Sequence, residues 1–126
     1  MKKNKNTIIL SASERTVMEL LWSENPQTVT ELYHKLREDP GWSKSTVNTM
    51  LSRMTEKGLI EFEQGERAKL YRPGIDRKSA DLAETESLID RIYQGSVSMM
   101  MSTLMRQKKL NREEIEELRS MLDKLE

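Results

Sequence analysis

Residues 42–54 are the part of this chain whose side-chain types and spacing could do chemistry. The apolar residues of this segment recur at the i, i+3, i+4, i+7 spacing of a helix that buries one face. They are Val47, Met50, Leu51 and Met54. The other face carries short polar and basic groups, namely Ser45, Thr46, Asn48, Thr49, Ser52 and Arg53. Ser, Thr and Asn are poor formers of helix interiors, so a face that retains them is typical of a surface that contacts DNA base edges and phosphates.

Two further helices are expected before this segment, and each begins at a capping box. In such a box, the side chain at each end accepts a hydrogen bond from the backbone amide of the residue at the other end. Ser11 with Glu14, and Thr28 with Glu31, can form such boxes. Ser43 is expected to cap the third helix, and Gly58 occupies the place of a left-handed residue after its end. The sequence therefore predicts three consecutive helices.

After Gly58 the apolar period changes from 3.6 to 2, which predicts two short strands at residues 59–63 and 68–72. Residues 64–67 supply the tight turn between them. Three helices followed by a hairpin is the element order of a winged helix-turn-helix domain. The hairpin is then the wing beside the third helix.

In a helix-turn-helix the N-terminal part of the recognition helix lies in the major groove. We therefore expect DNA contacts from Lys44, Ser45, Thr46, Asn48, Thr49, Ser52 and Arg53. Asn48 can pair with adenine, while Arg53 suits a phosphate or a guanine. Arg67 and Lys69, at the hairpin tip, are expected to contact the DNA backbone, although an ordinary charged hairpin is the alternative.

From Asp76 onward the sequence is helical in pattern, with helices expected at residues 79–93 and 96–109 and a third that begins at an Asn111–Glu114 capping box. About 50 residues of helix cannot bury much core alone, so packing against a second copy is expected. The predicted dimer contacts are Leu88, Ile92, Val97, Met100, Met101, Leu104, Ile115, Leu118, Leu122 and Leu125. The predicted fold is mainly α with a small β-hairpin: a winged helix at residues 1–74 and a three-helix dimerisation arm at 75–126.

Composition narrows the classes of function. Lys and Arg number 21, as do Asp and Glu, which argues against a basic surface all round. The chain has no cysteine, which excludes disulfides and thiolate metal sites, and no apolar run approaches a membrane span. We therefore expect a cytoplasmic protein without a cofactor. The first residues, with Lys2, Lys3 and Lys5, are expected to form a basic arm.

Two residue types invite other interpretations. Met99, Met100, Met101 and Met105 could form a soft-metal site, but their helical spacing favours apolar packing. His34 is the single histidine, so neither a zinc site nor a Ser-His-acid triad has a supporting set of residues. No metal site and no enzyme activity are predicted.

Several segments together resemble the penicillinase-repressor family of transcriptional repressors. They are Trp42-Ser43, residues 46–51, Arg53, residues 57–59, Tyr71-Arg72-Pro73 and residues 91–96. The resemblance implies a cytoplasmic homodimer whose winged helices bind a palindromic operator and whose C-terminal arms interlock. It also implies control of β-lactam resistance or of a related stress operon. Repression would end when a protease of a membrane sensor pathway, or another signal, acts on the arm.

Two positions differ from the pattern of antibiotic-responsive relatives. Lys44-Ser45 stands where those relatives tend to carry Pro-Lys, which implies a different base preference. Thr103-Leu104 aligns with their Asn-Phe cleavage pair and is the candidate cleavage site. Two alternatives stay open: a ligand-responsive regulator of the MarR kind, which usually has a dimerisation helix before its winged helix, and a winged-helix module that binds a protein.

Overall fold

The structure is a computed structural model that describes residues 9–125. Its elements are α1 (Ala12–Ser23), α2 (Val29–Glu38), α3 (Lys44–Glu56), β1 (Ile60–Gln64), β2 (Lys69–Pro73), α4 (Arg77–Tyr93), α5 (Val97–Arg106) and α6 (Arg112–Lys124). This mainly helical chain with one hairpin confirms the predicted fold class. Two compact units meet between Glu84 and Thr85, inside α4. The predicted basic arm lies outside the described residues.

The first three helices begin where the capping residues predict. The Ser11 Oγ accepts a hydrogen bond from the Glu14 amide at 3.1 Å, and Glu14 Oε1 accepts one from the Ser11 amide at 2.9 Å. Thr28 and Glu31 form the same reciprocal box at the start of α2. Ser43 caps α3. These bonds satisfy amides that have no partner within a helix, and the three predicted starts are confirmed.

A single apolar core joins α1, α2, α3 and the hairpin. Val47, Leu51 and Met54 of α3 are at most 1% exposed, as the helical period predicts, whereas Met50 lies partly buried at the edge of the core. The other buried apolar residues are Leu10, Val17, Met18, Leu21, Leu32, Leu36, Leu59, Ile60, Tyr71 and Ala80. The core therefore holds α3 by one face and leaves its other face exposed.

Both strands lie one residue later than predicted. β1 and β2 pair antiparallel, with Phe62 opposite Tyr71 and Gln64 opposite Lys69. Leu59 is excluded from β1 because its amide bonds the Met54 carbonyl at 2.9 Å, which closes the end of α3. This backbone bond could not be read from the alternation of apolar and polar residues.

Glu14 connects the start of α1 to the end of α3. Its side chain is buried, and its second carboxylate oxygen pairs with the ammonium group of Lys57, the residue that follows α3. Burial acts to raise the pKa of Glu14, but the hydrogen bonds from Lys57 and Ser11, with the Lys57 charge, outweigh it and lower the pKa. The carboxylate is therefore more stable in the folded chain than in the unfolded one.

Glu14→Gln should lower the free energy of unfolding at pH 7 by about 1–3 kcal/mol, because Lys57 loses a charged partner at a buried site. The folded-state pKa lies below the ordinary value of 4.5. The contribution of Glu14 is therefore complete above that pH and is lost as the pH falls through the folded-state pKa. Urea denaturation of both chains should show a difference that is largest at pH 7 and shrinks toward pH 3.

The control for this experiment is Glu31→Gln, which alters the corresponding capping box of α2. Glu31 is exposed and has no ion pair within residues 9–125, so its replacement should cost less than that of Glu14. A difference between the Glu14→Gln chain and the unchanged chain that is the same at pH 7 and pH 3 would contradict the role assigned to the Lys57 pair.

The fourth helix starts two residues earlier than predicted. Asp76 acts at its start: Asp76 Oδ2 accepts from the Ser79 amide at 3.3 Å, and the Asp76 carbonyl accepts from the Ala80 amide at 3.1 Å. Ala80 is buried. The predicted start at residue 79 left the Asp76 cap outside the helix, although the sequence is helical in pattern from Asp76 onward.

The unit from Thr85 onward contains the end of α4, with α5 and α6. Gln94 and Gly95 take positive φ values of 47° and 83°, which separates α4 from α5 at the predicted break. α5 ends at Arg106, three residues before the predicted end, because Lys108 takes a φ of 56°. The predicted capping box at the start of α6 is confirmed. None of the helices within residues 9–125 is long and apolar enough to cross a membrane.

Candidate nucleic-acid interface

The two ends of α3 are fixed by short-range bonds. At the start, Ser43 Oγ accepts from the Thr46 amide at 3.1 Å and donates to Thr46 Oγ1 at 3.0 Å. At the end, Gly58 takes a φ of 81°, which confirms the predicted left-handed residue. Its amide donates to the Thr55 carbonyl at 3.0 Å. A helix with both ends closed in this way holds its exposed face in one register relative to the core.

The exposed face of α3 is polar along its whole length. All seven α3 residues predicted to contact DNA are exposed, namely Lys44, Ser45, Thr46, Asn48, Thr49, Ser52 and Arg53. Asn48, Thr49, Ser52 and Arg53 line one open concave surface, and Glu56 closes it at the C-terminal end. Hydroxyl, amide and guanidinium groups are therefore presented together on a surface without apolar side chains.

The wing presents two cations in different settings. Arg67 lies exposed in the loop between the strands, which is closed by a bond from the Gly65 amide to the Ala68 carbonyl at 2.9 Å. Lys69 lies with its Nζ 4.3 Å from the centroid of the Phe62 ring, so a cation–π contact orients its ammonium group. Both predicted wing residues thus remain accessible at the hairpin tip.

The cations of α3 and the wing differ from the other cations nearby in whether they make ion pairs with carboxylates. Within residues 9–77, six Lys or Arg side chains make ion pairs with carboxylates, namely Arg15, Lys35, Arg37, Lys57, Arg72 and Arg77. Four do not, and these are Lys44, Arg53, Arg67 and Lys69; Lys78, the next cation of the first compact unit, makes no ion pair either. Sequence analysis assigns the first four to DNA, whereas Lys78 lies at the start of α4. Cations without a protein carboxylate are the ones that can neutralise phosphates at least cost.

Sequence reasoning missed Gln27, which ties the wing to the helices. Gln27 is 1% exposed, and its backbone exchanges two bonds with Tyr71 of β2, at 2.8 and 2.9 Å. Its side-chain nitrogen donates to the carbonyls of Leu20 and Glu24, and its oxygen accepts from Lys35 Nζ at 2.7 Å. A single glutamine before a helix carries no sequence signal for such a role.

The predicted dimer contacts lie on the last three helices. Leu88, Ile92, Val97, Leu122 and Leu125 are between 38% and 82% exposed in the single chain. The others are partly buried, namely Met100, Met101, Leu104, Ile115 and Leu118. The candidate cleavage pair Thr103-Leu104 lies inside α5 and is also partly buried. The unit beyond Glu84 therefore leaves a large apolar area uncovered.

The residues considered for metal chemistry are dispersed. Among the described residues, no three His, Asp or Glu side chains are grouped so that they could hold a metal ion. His34 is exposed on α2, where its ring lies 6.0 Å from that of Tyr33. Met99 and Met105 are about half exposed on α5. The polar groups that lie together on one surface are instead those of α3.

Comparison with known proteins identifies the family. The family model described as penicillinase repressor matches residues 10–124. The chain belongs to the penicillinase repressor family. This family consists of DNA-binding transcriptional repressors, which are not enzymes, and the predicted resemblance is confirmed.

Relatives in the penicillinase repressor family match along nearly the whole chain. The penicillinase repressor of Bacillus licheniformis is 29% identical over 114 residues, which cover 90% of this chain and 89% of that protein. The methicillin resistance regulatory protein MecI of Staphylococcus aureus is 23% identical over 118 residues, which cover 94% and 96%. A solved structure of monomeric Bacillus licheniformis BlaI, in complex with the blaP half-operator, matches with a TM-score of 0.52 at 29% identity, over 58% of this chain and 89% of that one.

Proposed function

We propose that this chain is a homodimeric repressor that binds a palindromic operator in double-stranded DNA. One observation carries the proposal: of the five cations without ion pairs between residues 9 and 84, four lie on the exposed face of α3 or at the wing. In this proposal α3 enters the major groove, with Asn48 and Thr49 at base edges. Arg67 and Lys69 bind the adjacent phosphates.

The homodimer is the finer part of the proposal, and the exposed apolar residues of the last three helices support it. Residues such as Ile92, Leu122 and Leu125 are at least half exposed in the single chain. Apolar area of this extent on a small unit favours association, because its removal from water is favourable. Residues 1–74 then form the DNA-binding domain and residues 75–126 the dimerisation domain, and two-fold symmetry makes the operator palindromic.

The regulated genes are proposed from the relatives. Two of them are named a penicillinase repressor and a methicillin resistance regulatory protein. We therefore assign this chain to the control of β-lactam resistance or of a related stress operon in the cytoplasm. A protease of a sensor pathway, or another signal, acts on the arm to end repression. Since Thr103-Leu104 lies inside α5, cleavage there requires local unwinding of the helix.

The experiment that tests DNA recognition is selection of duplexes from a random-sequence pool by the full-length chain, followed by binding measurements at several salt concentrations. We expect one palindromic sequence to be enriched. Its affinity should fall steeply with salt, because each phosphate that a cation neutralises releases counterions. Enrichment of no sequence, with binding that is equal for all duplexes, would contradict the proposal.

Arg53→Ala should weaken binding to a duplex with one half-site by about 1–3 kcal/mol, because Arg53 lies unpaired in the concave surface of α3. If Arg53 binds phosphate, the loss should be similar for all sequences and the salt slope should fall by about 1. If Arg53 binds guanine, discrimination between bases should weaken at one position of the half-site. A mobility-shift titration at fixed salt measures the loss.

Lys109→Ala is the matched control for Arg53→Ala. It also removes one positive charge, but Lys109 is an exposed residue between α5 and α6 and has no assigned DNA contact. Half-site affinity should then remain within about twofold of the unchanged chain, since a distant exposed charge is largely screened. Equal losses in the two variants would mean that Arg53 acts only through net charge and that α3 is misplaced.

A further inference from the structure

One carboxylate lies on the polar face of α3, that of Glu56, the last residue of the helix and its only acidic one. At about 100° per residue, four side chains of α3 lie within about 60° of one another around the helix axis. They are Ser45, Thr49, Ser52 and Glu56. Glu56 is exposed, and it lines the same open concave surface as Asn48 and Arg53. A duplex that covers this surface must therefore accommodate a negative charge.

Glu56 has no cation that neutralises it within residues 9–125. None of the ion pairs in that range includes Glu56. Arg53 precedes it by three residues, a spacing at which opposite charges can meet on a helix, yet no ion pair joins the two. Lys57, the next residue, pairs with Glu14 instead. Both the Glu56 carboxylate and the Arg53 guanidinium are therefore available to a ligand of this surface.

The position of Glu56 at the end of α3 does not favour the fold. The carbonyl groups at a helix C-terminus carry partial negative charge, so a carboxylate is repelled there and a cation is preferred. Glu56 is exposed, so burial of its side chain does not compensate for this repulsion. A residue that breaks a local rule of helix stability without a gain elsewhere in the fold is expected at a functional position.

The chemistry of the major groove limits what a carboxylate can bind there. Phosphates repel it, and so do the acceptor atoms of guanine and thymine. The hydrogen-bond donors of the groove are the amino groups at cytosine N4 and adenine N6. Adenine places the acceptor N7 beside its amino group, whereas cytosine presents its amino group without an acceptor on the same base. The base that best accommodates a carboxylate is therefore cytosine.

We propose that Glu56 is a specificity-determining residue that accepts a hydrogen bond from the N4 amino group of a cytosine in each operator half-site. This inference deepens the proposed function and rests on it, because the contact requires α3 in the major groove. Arg53, one turn earlier on the same surface, suits the acceptor atoms of a guanine. The two side chains, opposite in charge, thus match the two bases of G·C pairs. A duplex that offers Glu56 only acceptors is disfavoured, which lowers binding to other sequences.

The test compares three full-length variants with the unchanged chain. Glu56→Gln retains the length of the side chain but presents an amide, which pairs with adenine. Glu56→Ala removes the polar group, and alanine favours helix, so α3 should still form. The matched control is Glu86→Gln, which removes the same charge as Glu56→Gln from an exposed position of α4 that has no assigned DNA contact.

Each chain selects duplexes from a random-sequence pool, and the selected bases are compared position by position. We expect the unchanged chain and Glu86→Gln to select cytosine at one position where Glu56→Ala shows no preference. In a half-site duplex, thymine at that position should lower the affinity of the unchanged chain by at least about fivefold, because an acceptor replaces the amino group. This ratio should fall to about twofold or less in Glu56→Ala. Glu56→Gln should favour adenine at the same position.

Two results would overturn the inference. If Glu56→Ala binds every duplex more tightly but selects the same bases as the unchanged chain, Glu56 acts only by repelling phosphates. If Glu86→Gln loses the cytosine preference to the same extent as Glu56→Ala, the preference depends on net charge and not on a contact from α3. Since the fivefold and twofold values are ratios within one chain, a general effect of charge on DNA affinity cancels. Failure of the unchanged chain to select any sequence would instead contradict the proposed function.

Discussion

A chain that carries Leu118→Asp and Leu122→Asp is expected to sediment as a monomer and to bind the selected palindrome at least about 100-fold more weakly than the unchanged chain. Leu122 is 63% exposed in the single chain and Leu118 is half-buried, so neither is deep in the core of its own unit. Burial of each leucine in a dimer contributes about 1.5–3 kcal/mol, and both copies lose two of them. The aspartates add charges that must be taken out of water.

The loss of DNA affinity follows from the loss of linkage between two winged helices. In a dimer, the second half-site is bound by a domain already held nearby, so its effective concentration is high. A monomer binds each half-site independently. Sedimentation velocity measures the dissociation of the dimer, and a mobility-shift titration on the whole palindrome measures the loss of DNA affinity. The affinity for a single half-site should remain unchanged, because α3 and the wing are untouched.

The matched control is Ser120→Asp with Lys124→Gln, which changes the net charge by the same amount on the opposite side of α6. At about 100° per residue, Ser120 and Lys124 point away from the Leu118–Leu122 side. This chain should remain dimeric. A Leu118/Leu122 variant that stays dimeric would show that the assignment of α6 to the interface is wrong. A monomeric variant that still binds the palindrome with the affinity of the unchanged chain would show that dimerisation is not required for operator binding.

The sequence predicts helix ends well where both partners of a bond lie within one turn. Ser11 with Glu14 and Asn111 with Glu114 are each three residues apart, so the capping box is complete in a short stretch of sequence. The left-handed Gly58 is likewise a property of one residue. Local rules therefore suffice for the starts of four helices and for the end of α3.

The strand bounds depend on contacts that the local pattern does not contain. Leu59 fits the alternation of a strand, but its amide bonds Met54 and its carbonyl accepts from the Gly74 amide at 2.8 Å. A Cβ on Gly74 would lie 2.5 Å from the Gly58 carbonyl oxygen, so only glycine allows this approach. The shift of one residue in β1 is thus decided by the bond from the Leu59 amide to Met54, which the alternation of apolar and polar residues does not contain.

The candidate site was predictable in its residues but not in its electrostatics. Helical spacing alone indicates that Asn48, Thr49 and Arg53 share an exposed face. It cannot tell that Lys57 is bound by Glu14, 43 positions earlier, while Arg53 has no ion pair within residues 9–125. Which cations are free to bind phosphate therefore depends on tertiary structure, and this could not be predicted from the sequence alone.

Gln27→Met is expected to lower the free energy of unfolding by about 2–3 kcal/mol, because three side-chain hydrogen bonds of about 1 kcal/mol each are lost. Methionine has a similar length and volume, so the core is not left with a large cavity. The donors and acceptors that lose a bond are Lys35 Nζ and the carbonyls of Leu20 and Glu24. Urea denaturation at pH 7 measures the change.

Gln64→Met is the control: Gln64 is an exposed residue at the end of β1, so the same substitution should change the stability by no more than about 0.5 kcal/mol. Equal stability of the two variants would mean that the bonds of the Gln27 side chain contribute nothing net. A large loss confined to Gln27→Met would show that the bonds of one buried side-chain amide to Leu20, Glu24 and Lys35 contribute to the stability of the fold.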